Sequence, residues 1–274
     1  MVNTPRRVIL CTYPSVYSEI VLHELLTAPE IELVGVLSST RILNKSDTNL
    51  RAGLRQIQLS GLRYAGYLFA ITGLYTGLRW CLRKPSFKQQ LTAKKIAYLE
   101  TTDINSTESL QFLSSLKPDI LLSAHFNQLL KAEALALPKL ACLNIHPSLL
   151  PAFKGVDPAF YALLRQARET GATVHVQDEQ FDHGAILEQS KLSIRLSDTL
   201  FSLNLKLFKL GALAAVRQII AFNTETVGIP QTSAGRYDSW PNPLDTKQFR
   251  QQRTYFRWRE YLGFIRYTKT SSFE

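Results

Sequence analysis

The chain has 274 residues, 45% of them hydrophobic, which is enough for one large domain or a domain with appendages. No basic start leads into an apolar stretch long enough for a signal peptide, so we expect a cytoplasmic protein. The three cysteines have neither the number nor the spacing of a disulfide framework or a metal site. We interpret Cys11 and Cys142 as small core residues.

The net charge of +10 is concentrated in one segment of the chain. Residues 41–95 contain eleven basic side chains and one acid, Asp47, whereas the rest of the chain is neutral overall. A basic surface spread over the whole protein would indicate nucleic-acid binding, and this distribution does not. The segment, not the whole chain, therefore requires an explanation.

Buried-strand patterns and amphipathic helix patterns alternate along the chain. In chain order they predict strand 7–13, helix 15–26, strands 31–39 and 96–101, helix 105–116, strand 118–124, helix 127–136, strand 140–146, helix 157–167, strands 172–179 and 185–194, and a long helix to 222 capped at Ser197 or Asp198. This alternation indicates an α/β fold with a mainly parallel sheet and helices on both faces. We assign residues 1–221 to one domain with a helical insertion at about 41–95, and residues 222–274 to a C-terminal extension of loops and a helix.

The insertion contains fifteen residues without a charge, 64–78. As a helix they form an apolar stripe opposite a stripe of small residues; the apolar stripe is Ile57, Tyr64, Leu68, Ile71, Tyr75, Leu78 and Leu82, and the small stripe is Gly66, Ala70, Gly73 and Gly77. Fifteen residues are too few to span a bilayer, which needs about 20. The pattern leaves open a helix buried in the domain, a helix docked on a second copy in a homodimer, and a helix on an anionic membrane.

Polar side chains follow two of the predicted strands where those strands end. Asn144 and His146 close strand 140–146, and Asp182 follows strand 172–179. Taken singly, each has a structural interpretation: a hydrogen-bonded histidine, a turn-capping asparagine and an Asp-x-Gly turn. Because ligands bind at the carboxyl ends of strands in open α/β sheets, together they predict one crevice.

The motif NIHPSLLPAFKG (144–155) is followed by GATVH (171–175) and DHG (182–184). In this order and spacing the motifs resemble the folate-dependent formyltransferases, which act on phosphoribosylglycinamide, methionyl-tRNA or amino sugars, or hydrolyse the folate. The resemblance runs from about residue 90 to 220 and more loosely through the first 40. It implies a Rossmann-like formyltransferase domain, N10-formyltetrahydrofolate as the formyl donor, and no metal.

The resemblance also implies roles for individual residues. Asn144, His146 and Asp182 match the family's catalytic trio. Asn144 would donate to the oxyanion of a tetrahedral intermediate, His146 would donate or act as an acid, and Asp182 would receive the proton of the amine. Two segments would line the cofactor site. The first, 124–130, has an ordinary strand-to-helix connection as its alternative, and the second is the turn 178–182. The residues concerned are Phe126, Asn127, Gln128, Leu129, Asp178 and Phe181.

The acceptor is less well defined by the sequence. CTYPSVYSEI after the first strand has no glycine, so we do not expect the phosphate-binding loop of the phosphoribosylglycinamide enzymes there. We also do not expect the C-terminal barrel of the tRNA enzymes in the residues after 221. We expect a small primary amine, in particular an amino sugar linked to a nucleotide or a lipid; candidate contacts are Lys154, Gly155, Tyr237 and Trp240.

Three alternatives remain open from the sequence. The chain could act on phosphoribosylglycinamide, or it could hydrolyse formyltetrahydrofolate without an acceptor. It could also be a membrane-associated folate-binding protein without activity. Intact Asn144, His146 and Asp182 favour an enzyme.

Overall fold

The computed structural model describes residues 4–44, 48–233 and 235–267. Within them the strands are β1 Arg6–Thr12, β2 Ile31–Ser39, β3 Ala97–Thr101, β4 Ile120–Ala124, β5 Ala141–His146, β6 Lys154–Gly155, β7 Glu169–Val176, β8 Ile186–Ser193 and β9 Tyr237–Asp238. The helices are α1 Val16–Thr27, α2 Asn49–Ser60, α3 Leu62–Phe69, α4 Tyr75–Cys81, α5 Phe87–Ala93, α6 Thr107–Ser115, α7 Ala132–Leu135, α8 Pro158–Leu164, α9 Leu200–Ala221, α10 Pro243–Gln252 and α11 Trp258–Tyr267. A π-helical turn, Ala70–Leu74, joins α3 to α4.

The central sheet has the strand order β3-β2-β1-β4-β5-β7-β8. Its first five strands are parallel, whereas β7 runs antiparallel to both β5 and β8. The prediction of a mainly parallel α/β sheet is therefore confirmed. The chain moves outward from β1 to β3 and then returns to β4 on the other side of β1. In sheets of this kind, ligands bind at the carboxyl ends of the two strands where the order reverses, which are β1 and β4 here.

Helices cover both faces of the sheet because side chains alternate along each strand. In β1, Val8 and Leu10 face a large core that α1 and α9 also line. Ile9 and Cys11 face a second core on the opposite side, together with Leu113 of α6. Cys11 and Cys142 are buried, as predicted, and Cys81 is exposed.

The inner face of the insertion belongs to the large core. The run from α3 to α4 buries, among others, Tyr67, Ile71, Tyr75 and Arg79, which follow one another at steps of four. A step of four residues is longer than an α-helical turn of 3.6, so residues at that spacing rotate gradually around the helix axis. The wider π-helical turn offsets this rotation and keeps them on one side. The run from α3 to α4 thus packs on the domain through one side. No helix in the described ranges is both long and apolar enough to cross a bilayer.

The predicted apolar stripe is only partly buried. Tyr64, Ile71 and Tyr75 are buried, and Tyr64 Oη donates to Asp157 Oδ2 at 2.8 Å. Ile57 and Leu82, at the two ends of the stripe, are exposed. The chain turns at Gly61 between α2 and α3, so the stripe does not continue along one straight helix.

Several predicted element boundaries are wrong. Strand β7 ends at Val176 instead of residue 179, and α8 ends at Leu164 instead of residue 167. The predicted helix 127–136 is helical only in α7, because the amides of Asn127 and Gln128 bond to distant segments. Helix α9 begins later than predicted, and its cap is Thr199. Thr199 Oγ1 accepts from Ser202 N, while Asp198 accepts from the backbone N–H of Arg195 instead.

Candidate active site

The loop that follows β5 is held in place by the neighbouring strand β7. Thr173 Oγ1 donates to the carbonyl of Ser148 at 2.6 Å and accepts from Leu150 N at 3.1 Å. Ser148 Oγ donates to the carbonyl of Ala152 at 2.7 Å. These bonds fix the path of the chain directly after His146.

His146 and Asp182 form a buried pair at the carboxyl end of β5. His146 Nδ1 lies 3.1 Å from Asp182 Oδ1, and its Nε2 lies 3.0 Å from the carbonyl oxygen of Phe153. A carboxylate and a carbonyl are both acceptors, so the doubly protonated imidazolium satisfies both contacts. The other oxygen of Asp182 accepts from Gly155 N at 3.0 Å.

The electrostatics of the pair favour the charged forms of both groups. Burial by itself lowers the pKa of His146, but the charge and hydrogen bond of Asp182 and the Phe153 carbonyl raise it above its usual value. Burial by itself raises the pKa of Asp182, but His146 and the Gly155 N–H bring it below its usual value. Each group therefore favours the charged form of the other, the imidazolium of His146 and the carboxylate of Asp182.

Asn144 is oriented by a residue that the sequence analysis did not select, His175 of β7. His175 Nδ1 faces the carbonyl of Val176 at 2.8 Å, and burial lowers the pKa of His175 to about 4. A neutral ring that donates from Nδ1 must accept at Nε2, which lies 3.0 Å from Asn144 Nδ2. One N–H of the Asn144 amide is thereby used, and the second remains for another acceptor. The motif GATVH contains His175, but the pairing of His175 with Asn144 depends on the register between β5 and β7.

The C-terminal extension is tied to the site by the short pair of strands β6 and β9. Lys154 pairs with Tyr237, and Gly155 pairs with Asp238. Asp238 is buried and forms ion pairs with Arg165 at 2.6 Å and with Arg236 at 3.0 Å. The extension thus packs directly against the loop that carries Gly155.

Gly155 allows this close pairing, and we expect Gly155→Ala to lower the free energy of unfolding by about 3 kcal/mol. Its φ is +117°, and a Cβ there would lie 1.9 Å from the Asp238 carbonyl oxygen. Urea unfolding measures the change, with Gly53→Ala as the control, since Gly53 lies in a helix with open space around it. Equal stability of the two variants would contradict this account of Gly155.

The segment 126–129 lies beside the carboxyl ends of β2 and β4 in extended form. Gln128 is buried, and its amide accepts from Ile104 N at 2.7 Å and donates to Ser39 Oγ at 2.8 Å. Asn127 is exposed, and its Oδ1 accepts from Ser39 Oγ. Both amides therefore hold the segment, and Phe126 and Leu129 are half-buried.

The second predicted cofactor segment lies next to the first. Glu179 Oε1 accepts from the backbone N–H of Ala132 at 2.8 Å, which joins the turn after β7 to the start of α7. Asp178 bonds to Gln180 N and lies 2.7 Å from His183 Nδ1, so it shapes the turn. Phe181, at the tip of the turn, is half-exposed.

The candidate acceptor residues lie in different surroundings. The rings of Tyr237 and Phe181 are 6.5 Å apart, and both side chains are half-exposed. Lys154 is only 5% exposed, and its ammonium makes no hydrogen bond or ion pair with the residues that the structure describes. Trp240 instead packs against Tyr64, with 6.5 Å between ring centroids. Its place in acceptor binding stays a prediction.

The N-terminus of α1 is closed by its own cap. Ser15 Oγ accepts from Tyr17 N at 3.1 Å and from Ser18 N at 3.2 Å, and Ser18 Oγ accepts from Ser15 N. These amides are the groups that a phosphate would need at this position. Beside them lies half-buried His125, whose Nδ1 is 3.0 Å from Ser15 Oγ and whose pKa is lowered to about 4 by desolvation. The sequence analysis did not select this histidine.

Residues 79–219 match the protein family described as Formyl transferase, and this range is just over half of the chain. The chain is 38% identical over 133 residues to a methionyl-tRNA formyltransferase of Methylacidiphilum infernorum, covering 48% of this chain and 42% of that protein. It is 40% identical over 103 residues to a GDP-perosamine N-formyltransferase of Brucella melitensis, covering 38% of this chain and 40% of that protein. The chain thus matches less than half the length of these curated relatives.

A solved N-formyltransferase from Helicobacter canadensis, in complex with folinic acid and dTDP-3-aminofucose, has a similar fold. Its TM-score is 0.52 at 18% identity, with 86% of this chain and 71% of that chain covered. The resemblance seen in the sequence motifs, the Rossmann-like fold and the family match agree. The chain belongs to the formyl transferase family.

Proposed function

We propose that the chain is an enzyme that transfers a formyl group from N10-formyltetrahydrofolate to a primary amine. The observation that carries this proposal is the buried pair of His146 and Asp182 beside Asn144, at the carboxyl end of a central strand. In the reaction the amine nitrogen attacks the formyl carbon. The new C–N bond forms, the bond from the formyl carbon to N10 breaks, and N10 takes up a proton as the amine loses one.

The three residues divide these tasks. Asn144 donates its second amide N–H to the oxyanion of the tetrahedral intermediate. Asp182 accepts the proton that the amine releases, and His146 supplies the proton to N10. Both nitrogens of His146 already have partners, so delivery of its proton exchanges the contact with Asp182 or with the Phe153 carbonyl.

The donor pocket in this proposal lies between segments 126–129 and 178–181. The bond between Glu179 and the N–H of Ala132 supports it, because it keeps the two segments adjacent. Their side chains are largely occupied with holding the segments, so backbone groups would contact the pterin and Phe126 and Phe181 would supply apolar surface. The Helicobacter canadensis protein, which has the same fold, was crystallised with folinic acid.

For the acceptor we propose an amino sugar carried on a nucleotide or a lipid. The GDP-perosamine relative and the dTDP-3-aminofucose in the Helicobacter protein support an amino sugar. Lys154 would pair with an acidic group of the carrier, and Phe181 and Tyr237 would flank the sugar ring. The occupied amides at the cap of α1 argue against phosphoribosylglycinamide.

A panel of amines tests the proposal. We expect mass spectrometry to detect N-formylated product with nucleotide-linked or lipid-linked amino sugars, and no catalytic release of formate when the amine is left out. Lys154→Met should raise KM about 10-fold or more for a phosphate-bearing acceptor, whereas Lys191→Met, on the exposed edge of the sheet, should not.

Other outcomes would select among the alternatives. Formate release without an amine would replace transfer by hydrolysis. Turnover of glycinamide ribonucleotide alone would overturn the choice of amino sugar. A chain that binds a folate analogue but shows neither reaction would be a folate-binding protein.

A further inference from the structure

Helix α2 of the insertion has an inverted distribution of polar and apolar side chains. The residues that it buries are Ala52, Gln56 and Ser60, which are small or polar. The residues at the apolar positions Leu50, Leu54 and Ile57 are exposed, and Leu50 is exposed to 76%. A helix on the surface of a globular domain normally buries its apolar side. The exposed leucines of α2 therefore indicate that a further contact covers them.

The run from α3 to α4 shows the same feature on its outer side. Large apolar side chains project there, with Phe69 61% exposed and Trp80 81% exposed. On this side Gly66 and Gly77 leave open space where a Cβ would stand. The small-residue stripe predicted from the sequence is therefore only partly exposed, because Ala70 is buried and its carbonyl accepts from Tyr261 of α11.

Charge distinguishes the kinds of partner that could cover these helices. From Thr48 to Lys95 the sequence contains no aspartate or glutamate. Arg51, Arg63 and Arg83 are exposed among the apolar residues. The uncovered side of the insertion is therefore both apolar and uniformly basic.

We propose that the outer side of the insertion, α2 and the run from α3 to α4, docks on an anionic lipid surface. Apolar side chains would enter the interface between headgroups and acyl chains, while arginines pair with the headgroups. The helices are too short to cross the bilayer and would lie along it. This proposal does not depend on the proposed activity.

A second copy of the chain fits the same surface less well. A two-fold contact brings identical patches together, so it would place arginine against arginine with no acid from the segment between them. A nucleic acid would match the arginines but not the exposed leucines, Phe69 and Trp80. Anionic lipid matches both.

Flotation with vesicles tests the proposal on the full chain. We expect the chain to float with vesicles of phosphatidylcholine and phosphatidylglycerol at low salt, and less with phosphatidylcholine alone. The double variant Phe69→Glu and Trp80→Glu should lower the bound fraction about 10-fold or more. Because both side chains are exposed, the variant should keep the melting temperature of the parent. Leu196→Glu is the matched control, since Leu196 is an exposed leucine outside the insertion.

Two results would overturn the proposal. The first is the absence of flotation with phosphatidylglycerol vesicles at low salt, or equal flotation of parent and double variant. The second is a dimer in light scattering that the double variant dissociates, without any vesicle binding, which would assign the surface to a second copy. Because flotation needs no turnover, either result leaves the proposed formyl transfer untouched.

Discussion

Replacing Asp182 with Asn is expected to lower kcat/KM for formyl transfer by about 10²–10⁴-fold. The amide cannot take up the amine proton, and it removes the charge that raises the pKa of buried His146. His146→Ala should have a similar effect. The double variant should be little worse than either single variant, because the two side chains act as a unit. Steady-state assays with the best acceptor of the panel measure these changes.

The pH profile separates this role from a purely structural one. The usual pKa of histidine is 6.5, and Asp182 raises it in His146. In Asp182→Asn the desolvation of His146 remains while the opposing charge is lost, so its pKa should fall. The alkaline limb of the residual activity should therefore move to lower pH. His23→Ala, a histidine on α1 remote from β5, should change neither the rate nor the profile.

The same pair should contribute to stability within a defined pH window. The contribution of His146 is fully present below its ordinary pKa of 6.5 and is lost as the pH rises through the raised value. The contribution of Asp182 is present above its ordinary pKa of 3.8 and is lost as the pH falls through the lowered value. The stability advantage of the parent over Asp182→Asn should therefore be largest between these two pH limits and should fall at both lower and higher pH.

A parent-like rate in Asp182→Asn or His146→Ala would remove these residues from the mechanism.

The order of strands and helices followed from the sequence because it depends on local patterns. Continuous apolar runs such as residues 31–39 and 140–146 form strands almost as predicted. The antiparallel direction of β7 did not follow, since direction depends on which strand it pairs with. Residues 127–131 were misjudged for the same reason, because the bonds from Gln128 to Ile104 and Ser39 override their helical pattern.

The candidate site was predictable in part. Asn144, His146 and Asp182 stood in motifs, and the structure brings His146 and Asp182 into contact. The dependence of Asn144 on His175 could not be read with certainty, because it requires the register between two strands. The pairing of residues 154 and 155 with 237 and 238 had no signal, since two-residue strands leave no periodic pattern.

Asn144→Ala is expected to lower kcat by about 10²–10³-fold, because the variant removes one hydrogen-bond donor from the oxyanion of the intermediate. The KM for the folate should change little, since Asn144 lies in β5 and not in segments 126–129 or 178–181. Asn144→Asp should be at least as impaired, because a carboxylate of the same shape repels the developing negative charge. Asn223→Ala, which removes a hydrogen-bonded asparagine from the turn after α9, is the control and should be close to the parent.

His175 should act on the same step through Asn144. In His175→Ala the amide loses the partner at 3.0 Å that fixes its orientation, so kcat should fall while KM for the folate stays nearly constant. Adding His175→Ala to Asn144→Ala should then cost little more, because the residue that His175 positions is already gone. Independent, multiplicative losses in the double variant would show that His175 does not act through Asn144. They would place its contribution in the packing of β7 against β5.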